Sequence, residues 1–335
     1  MKIVVDAMGG DFAPRPIVEG ALAAQKAYNN VEIILVGQEQ RIKDEITRLK
    51  KDPSAIEIVD APQIIAMHDP AANSVRRKRQ SSIVVGMELC KQKKADAFVS
   101  AGNTGAVVCA AALSLGTLQG IERPGISIVM PTLKDVGIII DVGANIDPKP
   151  IHLLQYAIMA DAYLRDILNK DNPRIGLMNV GEEESKGTDF LKQTFSLMEE
   201  GDFNFFGNAE AKDIFAGRCD ALICDGFVGN VSLKVMEGAI EVIGEFLKRE
   251  LKRSFMAKIG LIFIRNSLMS FKKKLDYSEY GGAPLLGING VVIISHGRSG
   301  AYAIKNAVRV AKEEIELKVN EKIVERISRL KVQNV

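Results

Sequence analysis

The sequence predicts an α/β fold built from βαβ units. Two observations carry it: short β-branched runs recur between helix-length segments, and several of those runs end in a turn rich in Gly, Asn, Asp or Ser. Apolar runs of this length belong to strands covered on both faces, and in a parallel sheet the turns after them converge at one edge, where ligands bind. No internal repeat, low-complexity linker or composition shift divides the 335 residues, so they read as one α/β domain over 1–335.

In chain order, strands are expected at 2–6 (Ile3-Val4-Val5 at its centre), 31–36, 56–59 and 97–100, each followed by a helix-length polar and apolar mixture. Further strands are expected at 126–130, 136–141 with its Ile138-Ile139-Ile140 run, 175–180, 204–206 and 221–225, and a last one at 290–295 precedes the final helix. The turns that follow are Met8-Gly9-Gly10-Asp11, Ser100-Ala101-Gly102-Asn103-Thr104-Gly105, Asp141-Val142-Gly143-Ala144-Asn145, Asn179-Val180-Gly181-Glu182 and Asp225-Gly226-Phe227-Val228-Gly229-Asn230.

Composition removes several function classes. A net charge of +2 gives no overall polyelectrolyte signature for nucleic acid. The chain starts Met1-Lys2 and passes directly into the first strand without a secretory leader, so export is not expected; no stretch of 18 apolar residues supports a membrane span, because Lys258 and Arg265 interrupt the best candidate. Cys90, Cys109, Cys219 and Cys224 read as reduced core residues, and His68, His152 and His296 lack neighbours at ligand spacing, so no metal is expected.

Nucleotide fingerprints are also missing. The first turn lacks Gly-x-Gly-x-x-Gly, and the segment from Gly181 to Thr188 has Lys186-Gly187 where a P-loop requires Gly-Lys. What the turns offer is small residues and backbone N–H groups at helix starts, which suit a small anion such as phosphate; the 100–105 turn is the best example, and an ordinary βα turn capped by Asn103 or Thr104 is its plainer alternative. The run Arg76-Arg77-Lys78-Arg79 is either a solvated face or a docking surface for an acidic partner.

The stretches Asp6-Ala7-Met8-Gly9-Gly10-Asp11, 100–105, 141–145, 179–183, 224–230 and Gly281-Gly282-Ala283-Pro284-Leu285-Leu286-Gly287 are each weak alone. Together and in this order they make the chain resemble, over nearly its whole length, the phosphate acyltransferases of bacterial phospholipid synthesis (PlsX). The resemblance implies a Rossmann-like three-layer αβα fold related to phosphotransacetylases and the isocitrate dehydrogenase group, a homodimer, and no cofactor or metal. It implies transfer of a fatty acyl group from acyl carrier protein to inorganic phosphate, giving an acyl phosphate for phosphatidic acid synthesis.

Phosphate is already anionic at neutral pH, so orientation and charge neutralisation matter more than a strong base. The expected roles are therefore a phosphate cradle at Gly102, Asn103 and Thr104, charge balance by Lys186, oxyanion stabilisation by Asn230, and orientation of Lys186 or Asn230 by Asp225. Arg76, Arg77, Lys78 and Arg79 are the expected docking site for the acyl carrier protein. Rival functions are a phosphotransacetylase-like enzyme using acyl-coenzyme A, and a non-catalytic scaffold at a membrane surface.

The segment from about 248 to 275 is expected to form a basic, apolar helical protrusion. Lys248, Arg249, Lys252, Arg253, Lys258, Arg265 and Lys272-Lys273-Lys274 face a single acid, Glu250, until Asp276. Phe255, Ile259, Ile262 and Phe263 recur at helical spacing between them. Basic flanks around a short apolar segment fit an anchor on anionic lipid as well as a helical pair at a dimer interface. An amphiphilic acyl phosphate bound for a membrane glycerol-phosphate acyltransferase favours the anchor. The expected location is therefore cytoplasmic, with peripheral attachment.

Overall fold

The computed structural model describes residues 1–253, 263–269, 271 and 279–330. Among them, β1 (Lys2–Asp6), β2 (Glu32–Gly37), β3 (Glu57–Asp60), β4 (Ala97–Ser100), β5 (Gly125–Pro131), β6 (Val136–Ile140), β7 (Ile175–Met178), β8 (Phe205–Ala209), β9 (Ala221–Ile223), β10 (Ala283–Leu286) and β11 (Val291–Ile294) form an 11-stranded sheet. Its order is β3-β2-β1-β4-β11-β10-β5-β6-β9-β7-β8.

The sheet is mixed, which corrects the expectation of a single parallel sheet with one ligand-binding edge. Strands β3, β2, β1, β4 and β11 run parallel, as do β6, β9, β7 and β8. Between these groups β11–β10, β10–β5 and β5–β6 all pair antiparallel, an odd number of reversals. The two groups therefore point in opposite directions, and the turns after their strands lie at opposite edges.

Strand β10 has no counterpart among the expected strands. Pro284 within four residues, flanked by glycines at 281, 282 and 287, hides a strand pattern. Its neighbours on both sides decide its pairing.

Alternation along the strands sorts side chains into three layers. Val4, Phe98, Val292, Leu285, Ile126, Ile139, Leu222 and Met178 share one hydrophobic cluster that runs across the full width of one face. Covering it are α3 (Ala71–Arg77), α4 (Ser82–Lys91), α5 (Thr104–Ser114), α8 (Ala211–Phe215) and the first turns of α9 (Gly226–Arg253). The opposite face holds two clusters. One packs Ile3, Val5, Val99 and Ile293 against α1 (Arg15–Ala27), α2 (Glu39–Arg48) and α10 (Ala301–Glu316). The other packs Ile138, Ile140, Leu177 and Ile223 against α6 (Pro150–Asp166), α7 (Asp189–Glu199) and α11 (Val319–Ser328).

Helix α9 is 28 residues long, about 42 Å at 1.5 Å per residue. Leu233 and Met236 anchor its start on the shared face, whereas every residue from 241 to 250 is exposed, including Val242, Ile243 and Phe246. Of the residues expected to touch a membrane, Phe263 is 83% exposed. Phe255, Ile259 and Ile262 lie outside the described residues.

Candidate functional site: two buried carboxylates at opposite edges of the sheet

At the edge formed by β1, β4 and β11, the turns 8–11, 101–105 and 295–300 meet. Parallel pairing sets Ser100 beside Ile294, and the Ser295 N–H donates to the Ser100 carbonyl at 2.8 Å. The Asp11 N–H donates to the Gly297 carbonyl at 2.7 Å. Beneath the turns lies the fully buried Asp6, whose Oδ1 accepts from the Met8 N–H at 3.0 Å and whose Oδ2 accepts from Ser100 Oγ at 2.7 Å. Burial pushes its carboxyl up from the ordinary range, against the hydrogen bonds from Ser82, Ser100 and the following turn. A Cβ on Gly9 would stand 2.6 Å from both Asp6 Oδ2 and the Gly102 nitrogen, so only glycine permits the two turns to touch.

Helix α5 rises from this edge. Asn103 is its N-cap, with Oδ1 accepting from the Ala106 N–H at 3.0 Å. Its amide nitrogen points toward the carbonyls of Ala66, Met67 and Asp69, at 3.2, 3.0 and 3.0 Å. That occupancy corrects the expectation that the Asn103 side chain serves the phosphate, because a two-hydrogen donor facing three carbonyls has nothing left to give. The N–H groups of Thr104 and Gly105 meet no acceptor among the described residues, and both residues are exposed. The donors open to an anion here are therefore backbone groups of the first helical turn.

The other edge is built around Asp141. Its Oδ1 accepts from Ile126, Gly143 and Ala144 N–H groups at 2.9, 3.0 and 2.9 Å, and its Oδ2 from Asn145 at 2.7 Å. The Asn145 carbonyl accepts from the Gly226 N–H at 2.7 Å, and Asn230 Nδ2 donates to the Val142 carbonyl at 2.9 Å, which seats the start of α9 on this turn. The Asp141 carbonyl would be 1.9 Å from a Cβ on Gly229, so the close helix approach depends on that glycine.

Three further expectations change with these positions. Asp225 Oδ1 accepts from the Phe227 and Val228 N–H groups at 2.9 and 2.8 Å, so it caps α9 and orients neither Lys186 nor Asn230 directly. Lys186 is exposed, with Nζ 4.0 Å from Glu183, and follows β7 at the edge opposite Gly102. Within the cation run, Arg76, Arg77 and Arg79 are exposed, whereas Lys78 Nζ donates to Asp69 Oδ2 at 2.6 Å and to the Ile64 carbonyl at 2.8 Å. Lys78 therefore holds its own loop.

The turn 295–300 was not among the expected site segments, though Ser295-His296-Gly297-Arg298-Ser299-Gly300 has the same small-residue character as the others and adds a guanidinium. The signal was present in its composition; its meaning came only from the pairing of β11 with β4. Cys90 and Cys219 thiols are pushed up to about 12 by burial, and Cys224 well above its ordinary value, so these cysteines stay protonated and supply no nucleophile. Among the described residues no group of three or more His, Cys, Asp or Glu is placed to hold a metal.

Comparison with known proteins gives this architecture a family. The family model described as "Fatty acid synthesis protein" matches residues 1–322. The phosphate acyltransferase of Dictyoglomus turgidum is 48% identical over 332 residues, covering 98% of each chain, and that of Brevibacillus brevis is 48% identical over 325 residues, covering 96% of each. Among solved structures, a phosphotransacetylase from Streptococcus pyogenes superposes with a TM-score of 0.61 at 19% identity, covering 98% of this chain and 94% of that one. The EutD phosphotransacetylase from Staphylococcus aureus gives 0.60 at 17% identity, covering 94% of each chain. At such identity they share the fold alone. By the family model and by relatives nearly half identical over almost their full length, themselves phosphate acyltransferases, the chain belongs to the fatty acid synthesis protein family.

Proposed function

We propose that this chain is an acyltransferase of phospholipid synthesis that moves a fatty acyl group from acyl carrier protein onto inorganic phosphate. The observation that carries this reading is the open first turn of α5, where glycine-lined turns leave the Thr104 and Gly105 N–H groups to an anion. Gly102 and Asn103 shape that turn, and Arg298 is carried on the adjacent one. A phosphate oxygen attacks the thioester carbonyl, a C–O bond forms, the tetrahedral oxyanion collapses, and the C–S bond breaks to release thiolate. Lys186 and Asn230 belong to the opposite edge. Helices α5 and α9 both lie on the shared face, so a thioester reaching both helix starts would lie across it.

The carrier docks on Arg76, Arg77 and Arg79. They end α3, whose seven residues span about 10 Å from the loop that Asn103 ties down, a distance a flexible prosthetic arm can cover. The exposed apolar residues of α9, Val235, Val242 and Phe246, suit a second copy of the chain in a homodimer. Exposed Phe263, Met269 and Phe271 beside Arg265 suit peripheral contact with anionic lipid, close to the membrane acyltransferase that would use the product. No helix among the described residues is long and apolar enough to cross a membrane.

Purified protein mixed with acyl carrier protein thioester and inorganic phosphate should form acyl phosphate, visible by phosphorus NMR. Equal or better turnover with acyl-coenzyme A would favour the phosphotransacetylase-like alternative that the fold also admits. No acyl phosphate from either donor would leave the scaffold.

A further inference from the structure

We propose that Asp6, acting through Ser100 and Ser82, is the positioning group of the phosphate cradle and fixes where the 102–104 turn presents its N–H groups. The inference rests on the acyl-to-phosphate reading above and assigns it a residue that touches neither substrate.

Asp6 is fully buried, no cation pairs with it among the described residues, and it lies directly under turns proposed to hold an anion. An unpaired buried carboxylate is costly unless hydrogen bonds hold it. Those it makes run to two elements, the Met8 N–H of its own turn and the Ser100 hydroxyl at the end of β4, and the neighbouring Ser82 hydroxyl at the start of α4 further favours its charge. Capping its own turn would need only the first.

The Ser100 bond extends the chain. Ser100 Oγ donates to Asp6 Oδ2 at 2.7 Å and accepts from the Gly102 N–H at 3.0 Å. The carboxylate thereby polarises the hydroxyl that holds the residue just before the helix cap, and each bond strengthens the next. The Gly9 and Gly102 backbones are in close approach above it, so the β1 and β4 turns cannot shift independently. Loosening the chain would leave α5 folded, since Asn103 still caps it, but would blur the direction of the free N–H groups.

The test is steady-state kinetics of the full chain against inorganic phosphate at saturating thioester, for wild type, Ser100→Ala, Ser100→Cys and Ser82→Ala. The two Ser100 variants should raise KM for phosphate about tenfold, the effect of one aligned hydrogen bond, with kcat and the thioester KM within about twofold. Ser82→Ala, which leaves the Ser100 relay in place, should raise it less. As a second readout, added phosphate should raise Tm in wild type and less in each Ser100 variant. A lowered Tm with unchanged phosphate KM would make the network a structural tie and overturn the proposal, as would a change confined to kcat or to the thioester KM. If Ser100 variants do not fold, Ser82→Ala with wild-type phosphate KM overturns it. A wild type without phosphate-dependent acyl transfer fails the functional reading itself, and is thereby distinguished from active variants that merely fail this inference.

Discussion

Asn103 carries two structural duties, as the cap of α5 and as a donor to a neighbouring loop. From sequence, Asn103→Leu should weaken phosphate use and leave folding nearly intact. With its side chain capping α5 and facing three loop carbonyls, the same substitution should instead destabilise the protein by about 1–3 kcal/mol, combining a lost cap with lost bonds to part-buried carbonyls. Chemical denaturation of the variant checks this. A second residue-scale prediction concerns Glu314 in α10, which is fully buried, its Oε1 without a hydrogen-bond partner. Burial, and then the neighbouring Glu313, push its carboxyl up to about 8 from an ordinary 4.5. The folded-state value lies above the unfolded one, so folding takes up a proton between them. This group therefore costs nothing below about pH 4.5, and its penalty grows as pH rises toward about 8. Glu314→Gln should be more stable than wild type by on the order of 2–4 kcal/mol at pH 9, with the difference shrinking toward pH 5, as followed by denaturant melts.

At the scale of elements, α3 and the segment that follows α9 carry the partner predictions. Reversing Arg76, Arg77 and Arg79 to Glu, with Lys78 left to hold Asp69, should slow carrier-dependent turnover several-fold at low salt. The gap should close as ionic strength rises, because exposed charges act over a Debye length of about 8 Å at physiological salt. Rates measured across a salt series decide it, and a salt-independent gap would assign the run to ordinary surface. The proposed lipid contact is tested by Ile259→Glu with Phe263→Glu, which should release the protein from anionic vesicles in co-sedimentation while preserving turnover with soluble substrate. Inactive monomers, read by light scattering, would assign the segment to the dimer interface.

For the whole molecule, one hydrophobic cluster spans the width of the sheet from Val4 to Met178, while the opposite face divides into two. If the shared face dominates, calorimetry should show a single unfolding transition over the whole chain, as one domain over 1–335 requires; two separated transitions would define two lobes. The sequence by itself determined where strands begin and which turns are lined with small residues, because burial on both faces and tight βα geometry leave local marks such as Ile138-Ile139-Ile140 and Gly102-Asn103-Thr104. It marked Asn103 and Asp225 as special, yet an N-cap and an anion ligand use the same residue types. Tertiary structure alone decided the rest. Strand β10, with Pro284 inside it, exists because its neighbours pair with it; its two antiparallel pairings cancel, and the antiparallel β5–β6 pair reverses the far half of the sheet. That reversal separates Lys186 from Gly102, while the parallel β11–β4 pair brings the turn with Arg298 to the Gly102 edge. The short 132–135 connection fixes β6 antiparallel to β5, whereas the places of β10 and β11 in the sheet are set by long-range pairing that no local pattern of residues encodes.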